Sequence, residues 1–528
     1  MSKLRRVFPR IAVAVLLACS IVPMLPSTAA PAATSYTTVF GAGSTWSAIA
    51  ISAWQRDVAL RGIPVNYQPL GSTAGRVYYY QDQADFAASE IPFQNAYRDA
   101  TGTVTTNEVD LAAHRPYAYL PDVAGGTSFM YHLDVAGQRV TNLRLSPTTV
   151  AKIFTLGITN WDDPAITADN GGRQLPSLPI KAVVRSDGSG TTAQFTAFMA
   201  SQTPDIWNAF CRKEGINIAP CPPTSLYPPD PDLIAQQLSD GVANFVAAPY
   251  NNGAITYVEY GYAKNLSFPV ASLLNKAGYY TQPTALNVAI ALERAVIHPD
   301  FTQDLSGVYV NPDPRTYPMS SYSYLIVPTT TAAPFNTAKG NTLGAFILYA
   351  VCAGQLKAAQ LGYSPLPKNL VGFAFQAEKL IPGAPAPPPI DQCANPTITG
   401  AFNLDNAPPP PPGSHIGDPV PTGPGQTGNT TPGSKTSNLA GGTKTATGAT
   451  TATTAPTGLG GSTPAAAQNG QTQLLASSAP VTLPGKTAPM PLGLYILAAG
   501  LVLLIVFAPP TVAVAMRSRE RGRRRGSG

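Results

Sequence analysis

The rhythm of apolar and polar positions divides the chain before any motif is considered. A basic start, with Lys3, Arg5, Arg6 and Arg10, runs into the apolar stretch IAVAVLLACSIVPML and then into the small residues STAAPAA. That order predicts an export signal over residues 1–33, cleaved near Ala30 to Ala33. LLAC also fits a lipoprotein cleavage box with lipid on Cys19, although the apolar run continues past that cysteine. From residue 36 onward, short β-type runs alternate with helical spacing: IPVNYQPLG is followed by TAGRVYYYQDQ and ADFAASE, and PIKAVVRSDG precedes TTAQFTAFMASQ. Such alternation predicts an α/β body. It extends to about residue 400, long enough for two lobes with cores of their own.

The rhythm then stops. From 404 to 490 large apolar residues almost vanish, five prolines stand at 408 to 412, and Gly, Thr and Ala dominate the remainder. Such a segment cannot bury enough surface to offset the entropy lost on ordering, so a disordered linker is expected. Its loose part would span roughly 50 Å. Residues 492–516, LGLYILAAGLVLLIVFAPPTVAVAM, carry no charge and are long enough for one transmembrane helix across a bilayer core of about 30 Å. Pro509 and Pro510 are expected to kink that helix. The tail 517–528 holds six arginines and one glutamate, which places it in the cytoplasm and the body outside the cell. A cell-wall sorting signal has a similar layout, but LPGKT at 483–487 lacks the usual LPxTG order.

Charge changes meaning once these ends are set aside. The net charge of +6 includes four positive charges in the leader and a net five in the tail, which leaves about −3 between them. No broad basic field exists for nucleic acid, and any anion site must be local. Beyond the leader stand Cys211, Cys221, Cys352 and Cys393. In an exported chain an even number favours disulfides, and 211 with 221 plus 352 with 393 is the simplest of three connectivities. His114, His132, His298 and His415 are scattered without ligand spacing, and no CxxC occurs, so neither a metal nor a cofactor is expected.

Candidate chemistry lies at glycine and hydroxyl junctions ahead of helical patterns. FGAGSTWSAIAISAW places Ser44 and Thr45 before apolar positions Trp46, Ile49, Ala50, Ala53 and Trp54; PLGSTAGRVYYY brings Gly71, Ser72 and Thr73; RSDGSGTTAQF brings Arg185, Asp187 and Ser189. A helix start exposes unpaired N–H groups, glycine allows close backbone approach, and hydroxyls add donors, which together suit an anion. Arg185 supplies a bidentate grip on an oxyanion. GAGSTW lacks the third glycine of a dinucleotide fingerprint, no glycine run leads into GK[ST], and SDGSG does not fit a G-x-S-x-G elbow. No nucleophile with base and orienting partner is visible, so a hydrolase is disfavoured.

GAGST, NYQPLGSTAG, ADFAASE, VVRSDGSGTT and GAITYVEYGYA occur in the order and rough spacing of the PstS-type phosphate-binding proteins that feed ABC phosphate transporters. The chain resembles that family over about residues 37–400. The resemblance implies a two-lobed periplasmic-binding-protein fold of type II, with 36–115 and 265–403 forming one lobe and 116–264 the other, closing over phosphate. Carried over residue by residue, it implies phosphate contacts from Thr45 and the Trp46 backbone, Ser72, Arg185, Ser189, Gly190 and Thr191, with Asp187 holding Arg185. The family has aspartate at the end of the DFxASD segment, where this chain has Glu90. A lone carboxylate there would accept a hydrogen from protonated phosphate and repel fully deprotonated sulfate. The implied protein is a monomer, tethered to the membrane by its C-terminal helix, that passes phosphate to ABC permease subunits. A surface oxyanion sensor or adhesion protein of the same fold is the alternative.

Overall fold

The computed structural model describes residues 35–96 and 106–420. The expected signal peptide at 1–33, the linker beyond 420, the apolar segment 492–516 and the tail 517–528 lie outside the described residues. Among the described residues no single helix is long and apolar enough to cross a membrane.

Eight strands form the main sheet: β1 Val39–Gly43, β2 Val65–Gln68, β3 Phe86–Ser89, β4 Tyr117–Tyr131, β5 Lys181–Arg185, β6 Ile234–Gln236, β7 Ala254–Glu259 and β8 Ser320–Pro328. Their order is β2-β1-β3-β8-β4-β7-β5-β6. β1 runs parallel to β2 and β3, and β5 runs parallel to β7 and β6. Between these parallel sets lie β4 and β8, antiparallel to each other and to their outer neighbours. β4 pairs with β8 over Tyr117–Gly126 and with β7 over Thr127–Tyr131. One long strand therefore serves both halves, and the α/β body has two lobes joined by crossing strands.

The crossing is shaped by local chemistry. The register of β4 against β8 slips between Ser323 and Tyr324, leaving Asp122 as the extra residue; a bulge of this kind bends a strand and sharpens its twist. Just beyond, a Cβ on Gly125 would meet the Trp46 ring at 2.7 Å, and one on Gly126 would meet Pro283 at 2.5 Å. The strand can thus lie directly under both lobes only because two side chains are missing.

Four parallel strands lead toward helices: β1 toward α1 (Ala48–Ala59), β2 toward α2 (Ser72–Tyr80), β5 toward α3 (Gly190–Gln202) and β6 toward α4 (Leu238–Ala247). α1 buries Ala50, Ile51, Ala53, Trp54 and Val58 on one face, and Trp54 Nε1 donates to the Gly354 carbonyl at 3.0 Å. Under β5 and β7, Phe129, Phe154, Phe195 and Tyr257 pack as rings with centroids 4.8 to 6.0 Å apart. Ring packing of this type supplies large apolar burial with defined geometry, and it fixes the end of β5 where Arg185 stands.

The linker expected from residue 404 is folded against the body for its first part. Leu404–Asn406 form a 3-10 turn, and Arg315 Nη1 donates to the carbonyls of Leu404 and Ala407. After the prolines, the buried guanidinium of Arg144 donates to the carbonyls of Gly413 and Asp418. The Tyr280 and Ile416 amides donate to Ser414 and Gly278 respectively, both at 2.8 Å. The receiving surface is a three-stranded sheet of Arg144–Leu145, Ser272–Leu274 and Tyr280–Thr281. Composition hid this packing because the strap is held mainly by its backbone carbonyls and amides, and because proline has little conformational entropy left to lose.

Cys211 is bonded to Cys221 and Cys352 to Cys393. Loop-closure entropy grows with the residues enclosed, so the Cys352–Cys393 bridge should stabilise by roughly 4 kcal/mol and the Cys211–Cys221 bridge by roughly 3. Denaturant melts of the two paired Cys→Ser variants check that ranking. A second test concerns Glu378, fully buried with no partner for either carboxyl oxygen. Burial pushes its carboxyl up to about 7 from 4.5. The folded protein therefore holds a proton that the unfolded chain releases, and stability should fall by about 3 kcal/mol as pH rises from the unfolded value through 7. Glu378→Gln should remove that slope in melts run across pH 4 to 8.

Candidate functional site

The site is built from loops at the carboxyl ends of β1, β2, β3, β5 and β6, the place where open α/β sheets bind ligands. At the end of β1, Gly43 has φ +138°, and a Cβ there would stand 2.2 Å from the Ala88 carbonyl. Only glycine lets the chain turn out beside β3. Thr45, Trp46 and Ser47 then form a bend, and α1 begins at Ala48, two residues later than a helix containing Trp46 would require. The Trp46 ring is turned away from the cleft: Nε1 donates to Thr127 Oγ1 at 3.2 Å and the ring meets Tyr363 edge-on. Only its backbone remains with the site residues, the carbonyl accepting from Tyr363 OH at 2.5 Å.

Glu90, immediately after β3, is 1% exposed. Ser72 Oγ, at the first residue of α2, donates to its Oε2 at 2.6 Å. Ser44 and Ser323 donate to Oε1, the latter at 3.1 Å. Burial pushes the carboxyl up from its ordinary range, and the three hydroxyls offset part of that rise.

Arg185 closes the opposite side. Its Nε and Nη2 donate to the two oxygens of Asp187 at 2.7 and 2.5 Å, and Nη1 donates to Ser239 Oγ at 3.1 Å. Burial alone would raise the Asp187 carboxyl; the bonds and charge of Arg185 outweigh it and hold the group below the usual range. Asp187 Oδ1 also accepts the Leu238 N–H at 2.8 Å, and Leu238 sits at φ +62°. A branched side chain pays for left-handed backbone unless something fixes it, and here a carboxylate does. Ser189 Oγ caps α3 by accepting from the Thr192 N–H at 3.2 Å; Gly190 and Thr191 follow, both buried.

The two lobes meet at these residues. A Cβ on Gly190 would stand 2.0 Å from Glu90 Oε2 and 2.7 Å from Ser72 Oγ. Across the same junction Thr73 N–H donates to the Gly188 carbonyl at 3.2 Å, and Gln194 Nε2 to the Glu90 carbonyl at 2.9 Å. Tyr262 OH donates to the Thr45 carbonyl at 2.6 Å, and Thr45 Oγ1 lies 2.7 Å from Ser239 Oγ. A cleft of about 500 Å³ lined by Thr45, Ile49, Arg56, Leu238, Asp240 and Tyr262 reaches this junction from one side.

Thr45, Ser72, Glu90, Arg185, Asp187, Ser189, Gly190 and Thr191 thus come from four separate segments to one buried junction. Ser239, Ser323 and Tyr262 join them without having been expected; no glycine run marks any of the three. With Asp187 committed to Arg185, the arrangement offers the arginine's cation, several hydroxyls and the carboxylate of Glu90, the donor and acceptor set for a small oxyanion that carries a proton. Among the described residues no group of three or more His, Cys, Asp or Glu stands together as a metal ligand set.

Residues 28–353 match the family model of the PBP superfamily domain. The phosphate-binding protein PstS of Xylella fastidiosa is 29% identical over 351 residues, 65% of this chain and 86% of its own length. Phosphate-binding protein PstS 2 of Mycobacterium tuberculosis is 28% identical over 329 residues, 60% of this chain and 78% of its own. Among solved structures, a phosphate-binding protein from Stenotrophomonas maltophilia aligns with a TM-score of 0.46 at 18% identity, covering 64% of this chain and 92% of its own.

The contact of Gly190 with Glu90 gives a test that needs no ligand. Gly190→Ala should hold the lobes apart, because its methyl would overlap a carboxylate and a hydroxyl that are both fixed. Small-angle scattering should show a larger radius of gyration than the parent, and hydrogen exchange at the Thr73 amide should speed up. An unchanged radius and exchange rate would show that the junction yields instead.

Proposed function

The chain belongs to the PBP superfamily, and on that premise we propose that it captures inorganic phosphate outside the cell by lobe closure and delivers it to the permease of an ABC importer. It acts as a binding protein rather than an enzyme. Support comes from the relatives named for phosphate binding and, above all, from one observation: the buried carboxylate of Glu90, bonded only to hydroxyls, shares its junction with Arg185 and with hydroxyls from both lobes.

Proton accounting gives the selectivity. Each hydroxyl has one hydrogen to give, and Ser72 spends its own on Glu90. A phosphate that still bears a proton donates it to Glu90 Oε2, which releases Ser72 to turn its hydrogen toward a phosphate oxygen. One hydrogen bond is exchanged for two, at groups that are themselves buried. Sulfate has no proton to give at neutral pH, so its lone pairs would face the carboxylate and Ser72 would stay committed. Arg185 supplies the charge that offsets desolvation of the anion, Thr45, Ser189 and Thr191 supply hydroxyls, and the starts of α2 and α3 supply backbone donors. The lobes are residues 36–115 with 265–403, and 116–264, save that β4 pairs with the first lobe as far as Gly126 and residues 272–281 pair with Arg144–Leu145 of the second. The segment 492–516 anchors the protein to the membrane beside the permease, which raises the effective concentration of loaded binder there.

Calorimetry of the exported body, residues 36–420, with phosphate, sulfate and arsenate tests the reading; phosphate should bind tightly, and no heat with phosphate would overturn it. Arg185→Ala should abolish tight binding while the melting curve stays cooperative, since the remaining neutral donors cannot offset anion desolvation. Glu90→Gln should shift the phosphate-to-sulfate preference toward sulfate by roughly tenfold or more. Lowering the pH of the parent should act in the same direction. Burial raises the Glu90 carboxyl, so it gains a proton on acidification and turns from acceptor to donor while sulfate stays unprotonated.

A further inference from the structure

Resting on the phosphate-capture reading, we propose that Ser239 is a positioning residue that relays the charge of Arg185 across the cleft to the hydroxyl of Thr45. Ser239 is the second residue of α4, wholly buried, and its Oγ stands between two groups of opposite lobes: 3.1 Å from Arg185 Nη1 and 2.7 Å from Thr45 Oγ1. Arg185 can only donate, so one lone pair of Ser239 is taken by the guanidinium. The Ser239 proton then has two acceptors in reach, Thr45 Oγ1 and the oxygen of Tyr262, whose own proton goes to the Thr45 carbonyl; directed at Thr45, it obliges that hydroxyl to turn its own proton elsewhere. The Thr45 carbonyl already accepts from Tyr262 OH and the Ala48 amide, and in the proposed relay the threonine hydroxyl gives its proton to the anion.

The chain therefore runs one way, from guanidinium to serine to threonine to ligand. Hydrogen bonds in such a series polarise one another, most strongly when a charge stands at the head. Thr45, on the lobe without the arginine, becomes a stronger donor because of a charge on the other lobe, and it does so only when the lobes are shut. The carrier of Ser239 is fixed by the same carboxylate that fixes Arg185: Asp187 Oδ1 accepts both Arg185 Nε and the Leu238 N–H. The spacing between guanidinium and serine is thus set within one lobe, and closure adds only the Thr45 contact. The other charged or titratable neighbours among the described residues are Asp187, paired with Arg185, Asp240 and Arg56, which line the same cleft as Thr45, and Tyr262, whose hydroxyl donates to the Thr45 carbonyl and also meets Ser239.

The test is a double-mutant cycle on the full chain, with inorganic phosphate as the probe, following affinity and release rate by calorimetry and stopped flow. Ser239→Ala should weaken phosphate binding about tenfold, chiefly through faster release, because the relay exists only in the closed state. Thr45→Val should weaken binding by itself, and adding Ser239→Ala to it should cost little more, since Ser239 acts through Thr45. Ser239→Cys keeps the volume but is a poor donor, and should resemble the alanine variant. Parental affinity in Ser239→Cys with loss in Ser239→Ala would assign the effect to packing and overturn the relay. So would parental binding in Ser239→Ala, or full additivity with Thr45→Val. A parent that gives no response to phosphate would overturn the capture reading and the relay with it, whereas a responsive parent with an unaffected Ser239→Ala would overturn the relay alone.

Discussion

The three hydrogen bonds accepted by Asp187 set the frame for the rest of the cleft. Two come from the Arg185 guanidinium and one from the Leu238 amide, so a single carboxylate fixes both that arginine and the start of the helix beside it. Removing charge from water is costly, and a guanidinium held by a fixed carboxylate keeps its remaining donors aimed rather than mobile. The pair also leaves the arginine partly neutralised. That balance suits a site which must release what it captures.

A second constraint is the crossing strand. β4 pairs with one lobe over its first ten residues and with the other over its last five, so motion of the lobes must be absorbed within it. The bulge at Asp122 and the bare backbone at Gly125 and Gly126 lie there. Trp46 stands directly against Gly125 while its backbone remains among the site residues. Ring, hinge glycine and site backbone are therefore in contact, and a ligand that shifts the Thr45–Trp46 bend acts on the hinge without intermediaries.

Much of this was legible in the sequence, for reasons that can be named. The alternation of strand and helix patterns gave the α/β body, and the glycine-hydroxyl junctions located the starts of α2 and α3, because those positions need the backbone freedom and capping groups that such residues provide. The misreadings have physical causes too. Trp46 has helical spacing, yet it is drawn into the preceding bend by Thr127 and Tyr363, contacts more than 80 and 300 residues away in the chain. Ser239 lay hidden because a leucine, not a glycine, takes the left-handed backbone ahead of it, a choice made tolerable by a carboxylate 51 residues upstream. Ser323 reaches Glu90 through strand pairing, which no local pattern reports.

The strap at 404–418 changes how force would enter the molecule. Tension applied to the chain beyond Val420 is met first by Arg144, Tyr280 and Gly278, through the carbonyls of Asp418 and Gly413 and the backbone of Ser414 and Ile416. Only after those bonds part does it reach Arg315 and the turn at Leu404. The load-bearing attachment is therefore the small three-stranded sheet that includes Arg144–Leu145, not the last helix of the body. A pull on the chain beyond Val420 would first shear the strap from that sheet, and the strands that hold Arg185 and Glu90 in place would carry none of it until the strap had peeled away.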